Sequence, residues 1–240
     1  LDYFRRESFL EDTNMCKSEK IDENFSPEIW LDKTDLESRS RYRFVKRIVD
    51  IFGSVLGLIL LSPIFLYVAF KIKQEDSSGP VFFSQYRVGR NGKIFKMYKF
   101  RSMCVDAEEK LIDLLQHNEV DGAMFKMKDD PRITKIGKFI RKTSIDELPQ
   151  FWNVLKGEMS IVGPRPPLLR ELNDYSEYDK QRLLVKPGCT GLWQISGRNH
   201  VGFDEMVKLD LEYISSQTLL LDIKIILKTI SVIVRPNGAY

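Results

Sequence analysis

Histidine is almost missing from this sequence, with only His117 and His200 among 240 residues. Two imidazoles without neighbouring cysteines do not make a common zinc site. The three cysteines, Cys16, Cys104 and Cys189, are scattered. They form no CxxC pair and no disulfide framework, which points to reduced, cytosolic thiols. The opening residues are polar, so no secretory signal peptide is read there. The chain starts at Leu1 rather than at methionine, as a fragment or a processed form does. There is no internal repeat and no low-complexity tract. No nucleic-acid module is recognised, which argues against a DNA or RNA partner.

Charge is plentiful but unevenly placed. Residues 1–40 carry 11 acidic and 6 basic side chains, a balance of −5, and the rest carry 31 basic and 23 acidic, a balance of +8. A basic body beside an acidic tail suggests an anionic partner: phosphate, a lipid headgroup or nucleic acid. Residues 1–45 read as a polar extension or linker. The apolar residues there, Phe9, Phe25, Ile29 and Trp30, are too sparse for a core.

Residues 51–70, IFGSVLGLILLSPIFLYVAF, contain no charge. Twenty such residues are long enough to cross a bilayer as a helix. Two features favour a bent, re-entrant helix over residues 46–75 instead. Ser62 and Pro63 sit near the middle, and proline removes a backbone donor and bends a helix. Both flanks are basic: Arg39, Arg41, Arg43, Lys46 and Arg47 precede the run, and Lys71 and Lys73 follow it. A spanning helix would place one cluster on the outside, against the positive-inside tendency. The Ser62 hydroxyl is a candidate partner for backbone freed at the bend.

Residues 80–100 alternate around Asn91 and Gly92, a hairpin signal. Residues 106–117 read as a helix with Ala107, Leu111, Leu114 and Leu115 on one face. Helices are also expected over 135–142, from 144–146 to 156, over 203–216 and over 219–234. The last is apolar nearly all round and suits a core or a membrane interface. The class expected is α/β, mostly helical with a small β-hairpin or sheet, with residues 76–240 as a catalytic domain.

The segment SIDELPQFWNVLKGEMSIVGPRP holds the adjacent acids Asp146 and Glu147. Ser144-x-x-Glu147 fits a helix capping box, the bland reading of such a pattern. An ionised Asp146 is nonetheless a competent nucleophile toward an activated centre. Glu147 could hold Mg²⁺, a hard ion that bridges diphosphates. Attack on a diphosphate needs cations around it. The candidates are Lys99, Arg101, Arg132, Arg165 and Arg198, each of which taken singly is most often a solvated surface charge.

The stretches KRIVDIFGSVLGLILLSPIFL, GPVFFSQYRVGRNGKIFKMYKFRSM, DPRITKIGKFIRKTSIDELPQFWNVLKGEMSIVGPRP, KPGCTGLWQISGRN and the terminal GAY resemble, in order, the bacterial sugar transferase family, the monotopic phosphoglycosyl transferases. The resemblance runs from Lys46 to Tyr240. It implies that Asp146 attacks the β-phosphorus of a UDP-sugar, that UMP leaves, and that polyprenyl phosphate takes the phospho-sugar from Asp146. It implies Mg²⁺ on Glu147, with phosphate charge offset by Lys99, Arg132 and Arg165. It implies a re-entrant helix bent at Ser62 and Pro63 and anchored among headgroups by Lys46 and Arg47. Interfacial amphipathic helices would rest on the cytoplasmic face of a bacterial inner membrane, and a homodimer is compatible with it. The endings resemble enzymes that begin exopolysaccharide, capsule or O-antigen units with glucose or galactose 1-phosphate. The alternatives are a Mg²⁺-dependent diphosphate hydrolase and a non-catalytic membrane scaffold.

Overall fold

The computed structural model describes residues 28–114, 127, 130–196 and 202–234. In chain order it contains α1 (Lys33–Ser38), α2 (Ser40–Leu60), α3 (Ser62–Glu75), β1 (Phe82–Val88), β2 (Ile94–Phe100), α4 (Ala107–Leu114), α5 (Lys135–Lys142), α6 (Gln150–Lys156), β3 (Ser160–Val162), α7 (Glu177–Lys180), β4 (Gly188–Thr190), α8 (Leu192–Ser196), α9 (Phe203–Ser215) and α10 (Leu219–Val234). Helix dominates, as expected, beside two small sheets: β1 with β2, and β3 with β4.

The uncharged run becomes α2 and α3, which meet at Leu61 with a 58° bend. Pro63 falls in the first turn of α3, where a missing N–H has no intrahelical acceptor to lose. The Ser62 hydroxyl donates to the Ile59 carbonyl at 2.8 Å, so it does cover a backbone group at the bend. Among the described residues no single helix is long and apolar enough to cross a membrane, whereas the bent pair together is.

The first half of α2 is built into the body. Asp222 of α10 accepts hydrogen bonds from Tyr42, Lys46 and Tyr213 at 2.9, 2.8 and 2.6 Å. Arg47 donates to the Val154 and Leu155 carbonyls at the end of α6, where a helix leaves acceptors free. Lys46 and Arg47, expected among headgroups, thus both have protein partners. Asp50, also buried, accepts from Ser160 Oγ and the Ile161 N–H at 3.0 and 2.9 Å. Beyond it, Phe52, Leu56, Ile59 and Leu60 are exposed.

Of the polar extension expected over residues 1–45, the structure describes residue 28 onward. From residue 28 onward the chain lies against the body, with Ile29, Leu31 and Leu36 packed on a core of Val162, Val207, Leu211, Tyr213, Ile214 and Ile225. The Leu31 N–H donates to Gln181 Oε1 at 2.7 Å, and Trp30 meets the Tyr178 ring edge-on. α2 also runs straight through the boundary expected between residues 45 and 46.

The hairpin forms as expected, with Phe82 opposite Phe100 and Val88 opposite Ile94. Asn91 and Gly92 take left-handed backbone angles, φ 56° and 76°, a conformation these two residue types tolerate. Two smaller cores flank β2. Phe100 joins Val68, Ile72 and Ile140 on one side, and Phe95 and Met97 join Val154 and Met159 on the other.

Candidate active site

Asp146 and Glu147 lie on one 3-10 turn, Ile145–Glu147, between α5 and α6. The capping box read from the sequence does not form. Ser144 has a left-handed backbone, φ 55°, makes no side-chain cap, and α6 starts only at Gln150. The reason is upstream: the Ser144 N–H bonds the Arg141 carbonyl at 3.1 Å, which makes Ser144 the left-handed residue that ends α5. An N-cap needs extended backbone instead. The acidic pair therefore sits on a tight turn rather than on a helix.

Three ties hold that turn. Glu75 of α3 accepts the Lys135 and Ile136 N–H groups at 2.7 and 2.9 Å, fixing the start of α5. Asn153 of α6 is fully buried; it accepts from the Tyr98 N–H at 3.0 Å and donates to the Lys96 carbonyl at 2.6 Å. It thus pairs with the β2 edge as another strand would. With β2 so placed, Lys99 Nζ reaches Glu147 Oε1 at 2.6 Å.

Asp146 is 7 % exposed. Burial raises its pKa to about 6, against the pull of Lys99, with a further push from Glu147 and a smaller pull from Arg141. Desolvation disfavours the charged carboxylate, and nearby cations restore part of the loss.

The structure sorts the expected cations. Lys99 is at the acidic pair. Arg101 is committed to Asp76, with bonds of 2.8 Å to its carboxylate and 2.6 Å to its carbonyl. Arg132 forks onto Asp130 at 2.9 and 2.7 Å. Both are buried, and each has an acid of its own. Arg198 lies outside the described residues. Arg165 stands on the loop GPRPP, residues 163–167, whose prolines have no N–H to donate. Four successive carbonyls are held instead. Pro164 accepts from the Gly188 N–H at 2.8 Å, Arg165 from Arg182 at 3.3 Å, Pro166 from Arg87 at 3.0 Å and Pro167 from the Val88 N–H at 3.0 Å. Arg182 is fixed in turn by Asp210 and Tyr175, each at 2.8 Å.

Arg87 and Arg141 were not singled out from the sequence. Arg141 lies in the last turn of α5 and acts on Asp146. Arg87 is buried, its Nε has no hydrogen-bond partner, and burial together with neighbouring Arg165 pushes its pKa down to about 10. It remains charged at neutral pH, in a region rich in cations and also within reach of Glu147 and Glu171. Both arginines lie in basic stretches visible in the sequence, QYRVGR and FIRK, but nothing local distinguishes them.

A divalent cation fits this constellation in one way. Among the described residues no cluster of three or more Asp, Glu, His or Cys side chains forms a protein cage. Mg²⁺ commonly takes one or two carboxylates and completes its shell with substrate phosphates and water. Glu147, with its side chain 43 % exposed, suits that role.

The profile of the bacterial sugar transferase family matches residues 41–236. The chain belongs to the bacterial sugar transferase family. It is 57 % identical over 195 residues to the galactosyl transferase CpsE of Streptococcus agalactiae serotype III (strain NEM316), covering 81 % of this chain and 43 % of that protein. It is 47 % identical over 222 residues to an undecaprenyl-phosphate galactose phosphotransferase of Salmonella typhimurium, covering 90 % and 46 %. It is 42 % identical over 199 residues to the exopolysaccharide production protein ExoY of Sinorhizobium fredii, covering 81 % and 88 %. The chain thus spans less than half the length of the first two relatives and most of the third. The acidic turn, Lys99, the Arg165 loop, Arg87 and Arg141 all fall within the matched family segment.

Proposed function

We propose that this chain moves a hexose 1-phosphate from a UDP-sugar to polyprenyl phosphate, releasing UMP and starting a unit of exopolysaccharide, capsule or O-antigen. The observation that carries the reading is the buried Asp146 beside the Lys99–Glu147 pair, in a cationic region that includes Arg87, Arg141 and Arg165. The names of the relatives from Streptococcus and Salmonella make UDP-galactose the first donor to test, with UDP-glucose beside it.

In the first step a carboxylate oxygen of Asp146 attacks the β-phosphorus. The bond from that phosphorus to the bridging oxygen breaks, and its electron pair leaves with UMP. A phospho-sugar ester on Asp146 remains. In the second step a phosphate oxygen of the polyprenyl phosphate attacks the same phosphorus. The Asp146 ester bond breaks and the carboxylate is regenerated. With a pKa of about 6, Asp146 is about 90 % ionised at neutral pH and ready to attack without a general base. Lys99, Arg165, Arg87 and Arg141 offset charge on the diphosphate. Glu147 would hold Mg²⁺, which when bound supplies further charge neutralisation at the diphosphate.

The bent pair α2 and α3 would enter one leaflet from the cytoplasmic face of the inner membrane, so that a soluble donor and a lipid acceptor meet at one surface. The exposed apolar residues of α2, α3 and α10 support that placement.

The test is purified protein with Mg²⁺, polyprenyl phosphate and each UDP-sugar, following UMP release and lipid-linked sugar together. Asp146→Asn should lose both by at least about 1,000-fold. UMP release without a lipid product would make the protein a hydrolase. Full activity in the variant would remove Asp146 from the reaction.

A further inference from the structure

A groove between α3 and α5 lies apart from the acidic turn. It encloses about 410 Å³, and Tyr67, Lys71, Gln74, Glu75, Lys135 and Phe139 line it. Its one carboxylate is already engaged, because both oxygens of Glu75 accept backbone N–H groups of Lys135 and Ile136. Those bonds also fill the N-terminus of α5, so the backbone there offers nothing to an anion. Lys71 Nζ has a neutral neighbour, Gln74 Oε1 at 2.9 Å. The groove therefore presents two ammonium groups with no lining carboxylate turned to them. Its other wall is apolar: Tyr67 and Phe139 are exposed, and Tyr67 continues into exposed Leu66 and Phe70 of the uncharged run. Cationic heads beside an apolar wall, at the point where α3 leaves an uncharged stretch, match the two parts of an anionic phospholipid.

We propose that the α3–α5 groove seats the headgroup of an anionic phospholipid, with its phosphate at Lys71 and Lys135 and its first acyl carbons along Tyr67 and Phe139. The assignment rests on the membrane placement proposed above. Its consequence is positional. Arg141 lies six residues beyond Lys135 on the same helix, about 9 Å along the axis, so a lipid seated at one end of α5 sets the height of the acidic turn above the headgroups.

The protein would be bound to vesicles of equal parts phosphatidylcholine and phosphatidylglycerol, then extracted in mild detergent, and its retained lipid counted by mass spectrometry. Wild-type protein should keep a stoichiometric phosphatidylglycerol. Lys71→Gln with Lys135→Gln should keep less by about tenfold or more. The control is Lys73→Gln with Lys138→Gln, which removes two charges from the same two helices outside the groove and should keep the lipid. Equal loss in both pairs would overturn the site in favour of diffuse surface charge. Polyprenyl phosphate displacing phosphatidylglycerol from the wild type, when both are supplied, would overturn it in favour of the acceptor. Failure of the wild type to bind any vesicle would overturn the membrane placement itself and this site with it.

Discussion

At Asp146, withdrawal from water raises the carboxyl pKa to about 6, against the pull of Lys99 and Arg141 and with the push of Glu147. If Asp146 is the nucleophile proposed above, kcat/KM for UMP release should fall about tenfold per pH unit below about pH 6 and level off above it. Lys99→Met removes the cation that lowers this value and leaves Glu147 without its 2.6 Å partner. The midpoint should therefore move upward; a midpoint that stays in place would sink the role of Lys99. Stability has its own sign. An unfolded Asp titrates at 3.8, so between there and about 6 the folded protein holds the proton more tightly. Stability falls as pH rises through that window, and the full cost, up to about 3 kcal/mol, persists above it. Asp146→Asn escapes this cost. It should melt higher than the parent near pH 7 and alongside it near pH 4, and equal melts at both would mean that burial does not strain Asp146. The acidic pair was legible in the sequence as two adjacent acids, and Lys99 stood unranked among five candidate cations, because its separation of 48 residues from Glu147 is closed only by the fold. Arg165 was among those candidates, whereas Arg87 and Arg141 were not. Arg101 and Arg132 resemble Arg87 as residues and differ in what lies opposite: the fold hands an acid to each of the first two, Asp76 and Asp130, and leaves the buried Arg87 Nε unmatched.

Elements that declare themselves through local pattern formed where expected: the hairpin around Asn91 and Gly92, the basic helix α5, and the helices α9 and α10. The capping box failed because Ser144 was already occupied in ending α5, and a four-residue pattern does not register the helix before it. The parallel pair β3 and β4 was not legible either. Each strand has three residues, too few for a period, and its partner lies across α7. Yet this pair holds the Arg165 loop. Ser160 stands opposite Gly188 and Val162 opposite Thr190, and the two chains approach so closely that a Cβ on Gly188 would lie 2.1 Å from the Gly163 nitrogen. Backbone cannot yield as a flexible side chain can. Gly188→Ala should force β3 and β4 apart, cost about 2 kcal/mol or more, and shift Arg165 relative to its neighbour Arg87. A thermal melt and the UMP assay would show both losses together. An unchanged melt would mean that the close approach is not what holds the loop.

For the whole molecule, the question is on which side of a bilayer the two ends of the bent pair lie. The uncharged arms, residues 51–60 and 62–70, are each about 15 Å long at the helical rise. Laid straight they would reach about 30 Å, the thickness of the hydrocarbon core. Bent by 58° and inserted symmetrically, they would bring their apex only about 7 Å below their ends, a depth set by the helical rise and the angle. In the placement proposed above, the attachments favour the bent arrangement. The start of the first arm is tied to the body through Lys46, Arg47 and Asp50. The end of the second is tied to the same body through Val68 and Ile72 in the core with Phe100, and through Asp76 with Arg101 at 2.8 Å. A spanning helix would have to tear out one set. Single cysteines placed at Asp35 and at Ser77, in a background without Cys16, Cys104 and Cys189, should both stay unlabelled by a membrane-impermeant maleimide in intact cells and both react after lysis. Labelling of one position alone from outside would mean that the arms cross. The meeting of a soluble donor and a lipid acceptor at one face would then have no structural basis, even if Asp146 proved to be the nucleophile.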